Sequence, residues 1–287
     1  MRGGIRVSSL ARKILAEGIG TAVLVFFAVG SAVFGIDTIG AAGVALTFGL
    51  VLLALAYSIG PVSGCHVNPA VTLGVLLRGG ISAREAGAYW IAQVVGAIVG
   101  ALLLKLMTTA GDVVDNTGAL GTNDWGIAVN MFGAFVLEVI LTFLLVVVVL
   151  LVTGRAAAPG FAGLAIGLVL AVVNFVGIPL DGASANPARS LGPALVEGGT
   201  PLAHVWLFIV APLLGGALAA AIAPLLTPEV EAVEGEPTLT DPTGATVPPS
   251  LDEPGSFEAE SFGDERPRYR EVEIEERIER YRGDEPR

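Results

Sequence analysis

Most of this chain is poor in charge. Charged residues make up 15% of it against 53% hydrophobic, well below the roughly one quarter of charged residues typical of soluble domains. There are two lysines, Lys13 and Lys105, and one cysteine, Cys65, so no internal disulfide can form. Only two histidines occur, His66 and His204, and nothing clusters His, Cys, Asp or Glu at ligand spacing. An enzyme would need a catalytic set or a metal centre, and none is legible. No cofactor is expected, and the acidic balance offers no basic patch for nucleic acid.

The net charge of −11 belongs to one end of the chain. Residues 1–226 hold 9 basic and 9 acidic side chains, whereas residues 227–287 hold 7 Arg and 18 acids. That tail, rich in Pro, Gly, Glu and Asp, reads as a largely disordered cytoplasmic extension. A short helix over 268–282 is the alternative for its last part, because Glu273–Arg277 and Glu276–Arg280 are i,i+4 pairs in the favourable order. Ahead of the tail, six apolar segments are long enough to cross a bilayer: roughly 10–34, 41–60, 83–107, 130–153, 161–179 and 202–226. The first is too long for the apolar core of a signal peptide and is expected to be retained. Arg2, Arg6, Arg12, Lys13, Arg78, Arg84 and Arg155 flank the segments on one side; Asp37, Asp112, Asp115 and Asp124 lie on the other. The positive-inside rule then places both termini in the cytoplasm.

Two stretches, 61–82 and 180–201, are apolar but too broken by Gly and Pro to span. They are also copies. A shift of 118 residues pairs Gly49-Leu50-Val51-Leu52 with Gly167-Leu168-Val169-Leu170, Pro61 with Pro179 and Gly64 with Gly182. The same shift pairs Asn68-Pro69-Ala70 with Asn186-Pro187-Ala188 and Leu73-Gly74 with Leu191-Gly192. Glu17 and Thr21 match Glu138 and Thr142 at a slightly different offset. Each repeat, about 10–107 and 130–226, holds three spans, so the second is inverted relative to the first.

Asn is a favoured helix N-cap, and Pro at the first helical position gives up only an N–H that has no partner anyway. Each Asn-Pro-Ala therefore reads as a helix start at membrane depth, where irregular backbone is tolerated only inside protein or along a wet cavity. Inversion brings the two short helices in from opposite faces, N-terminus to N-terminus, each with about half a positive charge. Asn68 and Asn186 can each turn an amide N–H toward the lumen. A water held through its oxygen by two donors points both hydrogens along the pore and cannot relay a proton.

These two loops, "SGCHVNPAVTLG" and "GASANPARSLG", give residues 10–226 a resemblance to the aquaporin (major intrinsic protein) family. The resemblance implies an all-α membrane protein of six transmembrane helices plus two re-entrant half-helices in two inverted repeats. It implies a pore in every protomer of a homotetramer, passing water and excluding ions. An outward constriction is implied at Phe48, Asn174, Ala183 and Arg189, with Glu17 and Glu138 accepting hydrogen bonds from the re-entrant loops. Asn174 departs from the family pattern, which has His in water channels and Gly in glycerol channels. Ser190, Ala194 and Phe208 resemble the water branch; Ile209, where Trp is usual, does not. Water is the expected solute, with glycerol or another small neutral solute as the alternative. His66 has two readings, a loop-bracing hydrogen-bonder and a pH gate. On architecture alone a secondary transporter is the rival, but only Glu17 and Glu138 offer an ion-coupling site. Gly96-x-x-x-Gly100 and Gly163-x-x-x-Gly167 read as close helix contacts.

Overall fold

The structure, a computed structural model, describes residues 9–154 and 156–227. The expected tail, its helix at 268–282, and Arg2, Arg6 and Arg155 lie outside the described residues. Helix α1 (Ser9–Val23) runs through a wider π-helical turn, Leu24–Val29, into α2 (Gly30–Ser63). Together they make 55 helical residues, which as one straight rod would measure about 80 Å. They are not one rod, because the Ser63 hydroxyl donates to Glu17 at 2.7 Å across 46 residues of sequence. The reversal falls at Gly40, whose φ of 67° and ψ of 172° break the helix. Residues 9–39 and 41–63 are therefore two spans. The sequence segments at 10–34 and 41–60 mark both, with the helices running a few residues further into a minimal turn that keeps Asp37 helical.

The short helix α3 (Pro69–Leu77) follows, then α4 (Ala83–Thr109), α5 (Met131–Val152) and α6 (Ala162–Asp181). A second short helix, α7 (Pro187–Glu197), leads through α8 (Gly199–His204) into α9 (Leu207–Leu226). With the first pair separated at Gly40, six stretches are long and apolar enough to cross a membrane. The described residues are helical, with no strand.

Burial is arranged for a lipid solvent. Leu15, Leu50, Ile91, Phe132, Phe175 and Leu225 project outward, while Glu17, Gln93 and Glu138 are wholly buried. The repeat is visible in the packing: α1 lies on α4 as its counterpart α5 lies on α9, and α2 meets α6 across the centre. Glycine sets the approach in each pair. A Cβ at Gly96 would collide with the Gly18 carbonyl, and one at Gly215 would lie 2.5 Å from the Val139 carbonyl. At the centre, a Cβ on Gly49 would come within 2.6 Å of the Gly167 carbonyl. Small residues at these points let backbones touch, which in lipid supplies the van der Waals contact that the hydrophobic effect does not.

Candidate functional site

Each half-helix begins as its sequence dictates. Asn68 and Asn186 have extended backbones, and each side-chain oxygen accepts from the amide two residues on: Ala70 N–H at 2.8 Å and Ala188 N–H at 3.0 Å. Pro69 and Pro187 hold the first helical position, and Ala70 and Ala188 are buried behind them. The other end of each asparagine crosses the molecule. Asn68 Nδ2 donates to the Ala185 carbonyl at 2.7 Å, and Asn186 Nδ2 donates to the Val67 carbonyl at 2.9 Å. Val67 and Ala185 are equivalent under the 118-residue shift, so the crossing bonds are related by a two-fold axis between the loops. One hydrogen of each amide is thus committed to the facing loop, leaving the second for the lumen.

The loops entering these helices carry matched left-handed residues. Gly64 and Gly182 both have φ of 87°, and Cys65, Val67, Ala183 and Ala185 have φ of 51°, 43°, 50° and 45°. A β-branched residue at positive φ is a genuine outlier, costing about 1–3 kcal/mol unless its surroundings fix it. Two buried carboxylates do so. Glu17 accepts from the main-chain N–H of His66 (2.9 Å) and Val67 (2.6 Å), from Ser63 Oγ (2.7 Å) and from Gln93 Nε2 (2.8 Å). Glu138 accepts from the N–H of Ser184 and Ala185, both at 2.7 Å. His66 adds a contact between its Nδ1 and Thr72 Oγ1 at 3.1 Å, and its ring meets Tyr89 edge-on. Tyr89 and Trp90 of α4 donate to the carbonyls of Ser63 and Pro69.

A cavity of about 150 Å³ runs past this junction. Both asparagines border it, with Cys65, His66 and Ser184 along the loop side. Much of the remaining lining is apolar, with Leu24, Val71, Leu145 and Val149. Leu24 opens the π-helical turn, a departure from regular helix that tends to accompany functional sites. Thr153 and Ile166 border the cavity at the α5–α6 end, and Phe48 and Arg189 also line it.

Residues 5–223 match the sequence profile described as Major intrinsic protein. The chain belongs to the major intrinsic protein, or aquaporin, family. It is 44% identical over 225 residues to Aquaporin Z of Rhodopseudomonas palustris, covering 76% of this chain and 94% of that one. It is 43% identical over 219 residues to Aquaporin Z of Bradyrhizobium diazoefficiens, with 74% and 91% covered. Among solved structures, the aquaglyceroporin of Plasmodium falciparum superimposes with a TM-score of 0.67 at 22% identity, over 76% of this chain and 98% of that one. That last likeness is one of fold.

Within this aquaporin-family chain, the four constriction positions read from the sequence are all buried. Arg189 Nη1 donates to the Gly121 carbonyl at 2.9 Å and Nη2 to the Gly182 carbonyl at 3.3 Å, while its Nε has no protein partner. The guanidinium lies 5.4 Å from the centre of the Phe48 ring, a cation–π distance. Asn174 and Ala183 do not line the cavity. Asn174 Nδ2 is turned back on its own helix, 2.9 Å from the Leu170 carbonyl, and its Oδ1 is buried without a partner. Ala183 lies against Gly177 of α6.

The connector between α4 and α5 makes contacts to the second loop that nothing in the sequence signalled. Asp115 organises it, accepting from the N–H groups of Thr117, Gly118 and Leu120 and from the Thr117 hydroxyl. The connector then passes over the second loop, where Gly121 holds Arg189, and Asn123 accepts from Ser190 Oγ and donates to the Asp181 carbonyl. The acceptor at Gly121, where φ is 66°, left no trace in sequence, because a carbonyl is common to every residue type. Gln93, which donates to both Glu17 and Thr72, was missed for a similar reason: one polar residue in an apolar span has no motif around it.

Proposed function

We propose that this protein is a passive water channel of the plasma membrane, driven by osmotic gradients and closed to protons and ions. The observation that carries the reading is the pair of crossed asparagines where two half-helix N-termini meet beside a cavity with a largely apolar lining. Two positive helix ends oppose cations there. Each asparagine keeps one N–H for a passing oxygen, and the apolar side chains of the lining offer water no competing partner. A water so held directs its hydrogens along the axis, which breaks a proton relay. Arg189 adds a fixed positive charge beside Phe48, and with Asn174 and Ala183 it forms the outward constriction. Glu17, Glu138 and His66 support the loops, since their bonds end on loop backbone and neighbouring side chains. The unit is a homotetramer with a pore in each protomer, and both termini face the cytoplasm. The basic flanks at Arg12, Lys13, Arg78 and Arg84 support that orientation.

The test is osmotic shrinkage of proteoliposomes at neutral pH, followed by stopped-flow light scattering. A sucrose gradient should give fast shrinkage that does not saturate and needs no ion gradient. A glycerol gradient should give the same shrinkage without re-swelling. Rapid re-swelling in glycerol would make the protein a small-solute facilitator, and a saturable, ion-dependent flux would make it a transporter.

A further inference from the structure

The two half-helices are braced by different kinds of element. Thr72 of α3 and Ser190 of α7 are equivalent under the 118-residue shift. Thr72 Oγ1 accepts from Gln93 Nε2 at 3.0 Å, and Gln93 is fixed in a spanning helix, α4. Ser190 Oγ donates to Asn123 Oδ1 at 2.7 Å, and Asn123 belongs to the irregular connector. A brace on a connector is only as steady as the connector. Residues 121–125 form a strap that carries the Gly121 carbonyl to Arg189, and Asn123 to Ser190 and the Asp181 carbonyl. Beyond it, 126–128 are exposed. The outer end of the strap closes on His204, the last residue of α8. His204 Nδ1 lies 2.6 Å from Asp124 Oδ1, and its ring stacks on Trp125 with centroids 3.9 Å apart and planes at 17°. The same Asp124 oxygen accepts from the Trp125 N–H at 2.7 Å, and the Asp124 N–H donates to the Asp181 carbonyl at 3.2 Å. Trp125 in turn meets Trp206 edge-on and packs against Phe208. His204 itself does not line the cavity.

We propose that His204 is a positioning residue for Arg189: its clasp on Asp124 and Trp125 fixes the strap that delivers the Gly121 carbonyl and Asn123 to the second half-helix. The consequence for selectivity rests on the channel reading; the hold on the strap does not. One imidazole is gripped on its edge by a carboxylate and on its face by an indole, two directional contacts that leave it one orientation. The side chains of His204 and Asp124 are 31% and 37% exposed, so the pair adds little to overall stability. Opening it loosens the strap without unfolding the protein. Arg189 Nη1 then loses its 2.9 Å acceptor, and the guanidinium keeps the longer 3.3 Å bond from Nη2 to the Gly182 carbonyl and the Phe48 ring. A charge held at one end swings, and a swinging side chain no longer sets the width of a constriction. Asp115 is the rival anchor, since it organises the upstream part of the connector, but its bonds reach no further than Leu120.

Wild type, His204→Ala, Asp124→Ala, the double alanine variant and Asp124→Asn are compared as full-length protein in proteoliposomes. Hydrogen exchange read by mass spectrometry should find the amides of 122–125 roughly tenfold faster or more in both single alanine variants, with 64–68 unchanged. The double variant should exchange no faster than either single one, as two halves of one clasp require. Asp124→Asn keeps an oxygen for the imidazole and for the Trp125 amide, and should stay near wild type. In stopped-flow light scattering the alanine variants should raise glycerol permeability several-fold over wild type, with water permeability within about twofold. A folding defect would give neither the retained water flux nor the rescue by asparagine. Unchanged exchange at 122–125 in His204→Ala, additive exchange in the double variant, or an Asp124→Asn variant as loose as the alanine ones overturns the proposal. So does a loosened strap with wild-type glycerol permeability. Exchange does not depend on conduction, so a wild type that passes no water sinks the channel reading and leaves exchange to decide whether His204 holds the strap.

Discussion

Glu17 and Glu138 show how far one buried side chain can govern a loop. Four donors converge on Glu17, and two main-chain donors on Glu138. Replacing Glu17 by Gln puts an NH₂ against a donor and leaves buried N–H groups unserved. That should cost about 2–4 kcal/mol of stability, read as a lowered unfolding temperature in detergent. Glu138→Gln should cost roughly half as much, since fewer charge-assisted bonds are lost. Arg189 is a different case, because in the proposed function its charge faces the permeating species. Arg189→Val should leave water flux within a factor of about two while raising proton leak several-fold, measured with a pH dye trapped in proteoliposomes. All three residues stand out in the sequence, since an ionisable side chain in an apolar span needs a reason. Which atoms they touch was not legible there, because Glu17 is 46 or more residues from the loop it holds.

Helices in this protein are spaced by glycine, and each contact has a measurable consequence. Gly96 leaves no room for a methyl group against the Gly18 carbonyl, whereas Gly87 on the same helix faces open space. Gly96→Ala should separate α1 from α4 and destabilise by about 1–3 kcal/mol. Gly87→Ala should stabilise by about 0.5–1 kcal/mol, because only the backbone entropy of glycine is removed. Thermal unfolding of the pair in the same detergent checks both signs. The half-helices were legible because a cap and a proline are local signals, and the close contacts because small residues recur at four-residue spacing. The α4–α5 connector was not. Its hold on Arg189 is made by a main-chain oxygen at Gly121, and its order by an Asp115 hub in a stretch that reads as polar loop.

Across the whole molecule, order does not follow regular secondary structure. Loops are ordinarily the first segments to open. Here the amides of Val67 and Ala185 lie in loops yet end on buried carboxylates at the centre of the body. Hydrogen exchange followed by mass spectrometry should find 64–68 and 182–186 as slow as the spanning helices. The exposed start of the connector, around 110–112, should exchange fast. Comparable rates in the re-entrant loops and at 110–112 would show that the carboxylate grips do not hold the strained backbone. The six spans and their inversion were legible as a whole, because hydropathy and the 118-residue shift need no knowledge of contacts. The reversal at Gly40 was foreseen as a break between two spans, but its brevity was not, since helix continues almost to the turning residue on both sides.

The crossed asparagine bonds also bear on ancestry. Each loop offers the other the same donor and the same acceptor, so two identical half-length chains around a two-fold axis would close the same pair of bonds. Such a dimer is condemned to equal mouths: whatever residue stands on one side stands on the other. Joining the halves into one chain lifts that constraint. His66 now lies opposite Ser184, Leu73-Gly74-Val75 descends from one loop while Leu191-Gly192-Pro193 descends from the other, and Arg189 has Val71 as its counterpart. A channel that guards one entrance differently from the other is something only the fused chain can be.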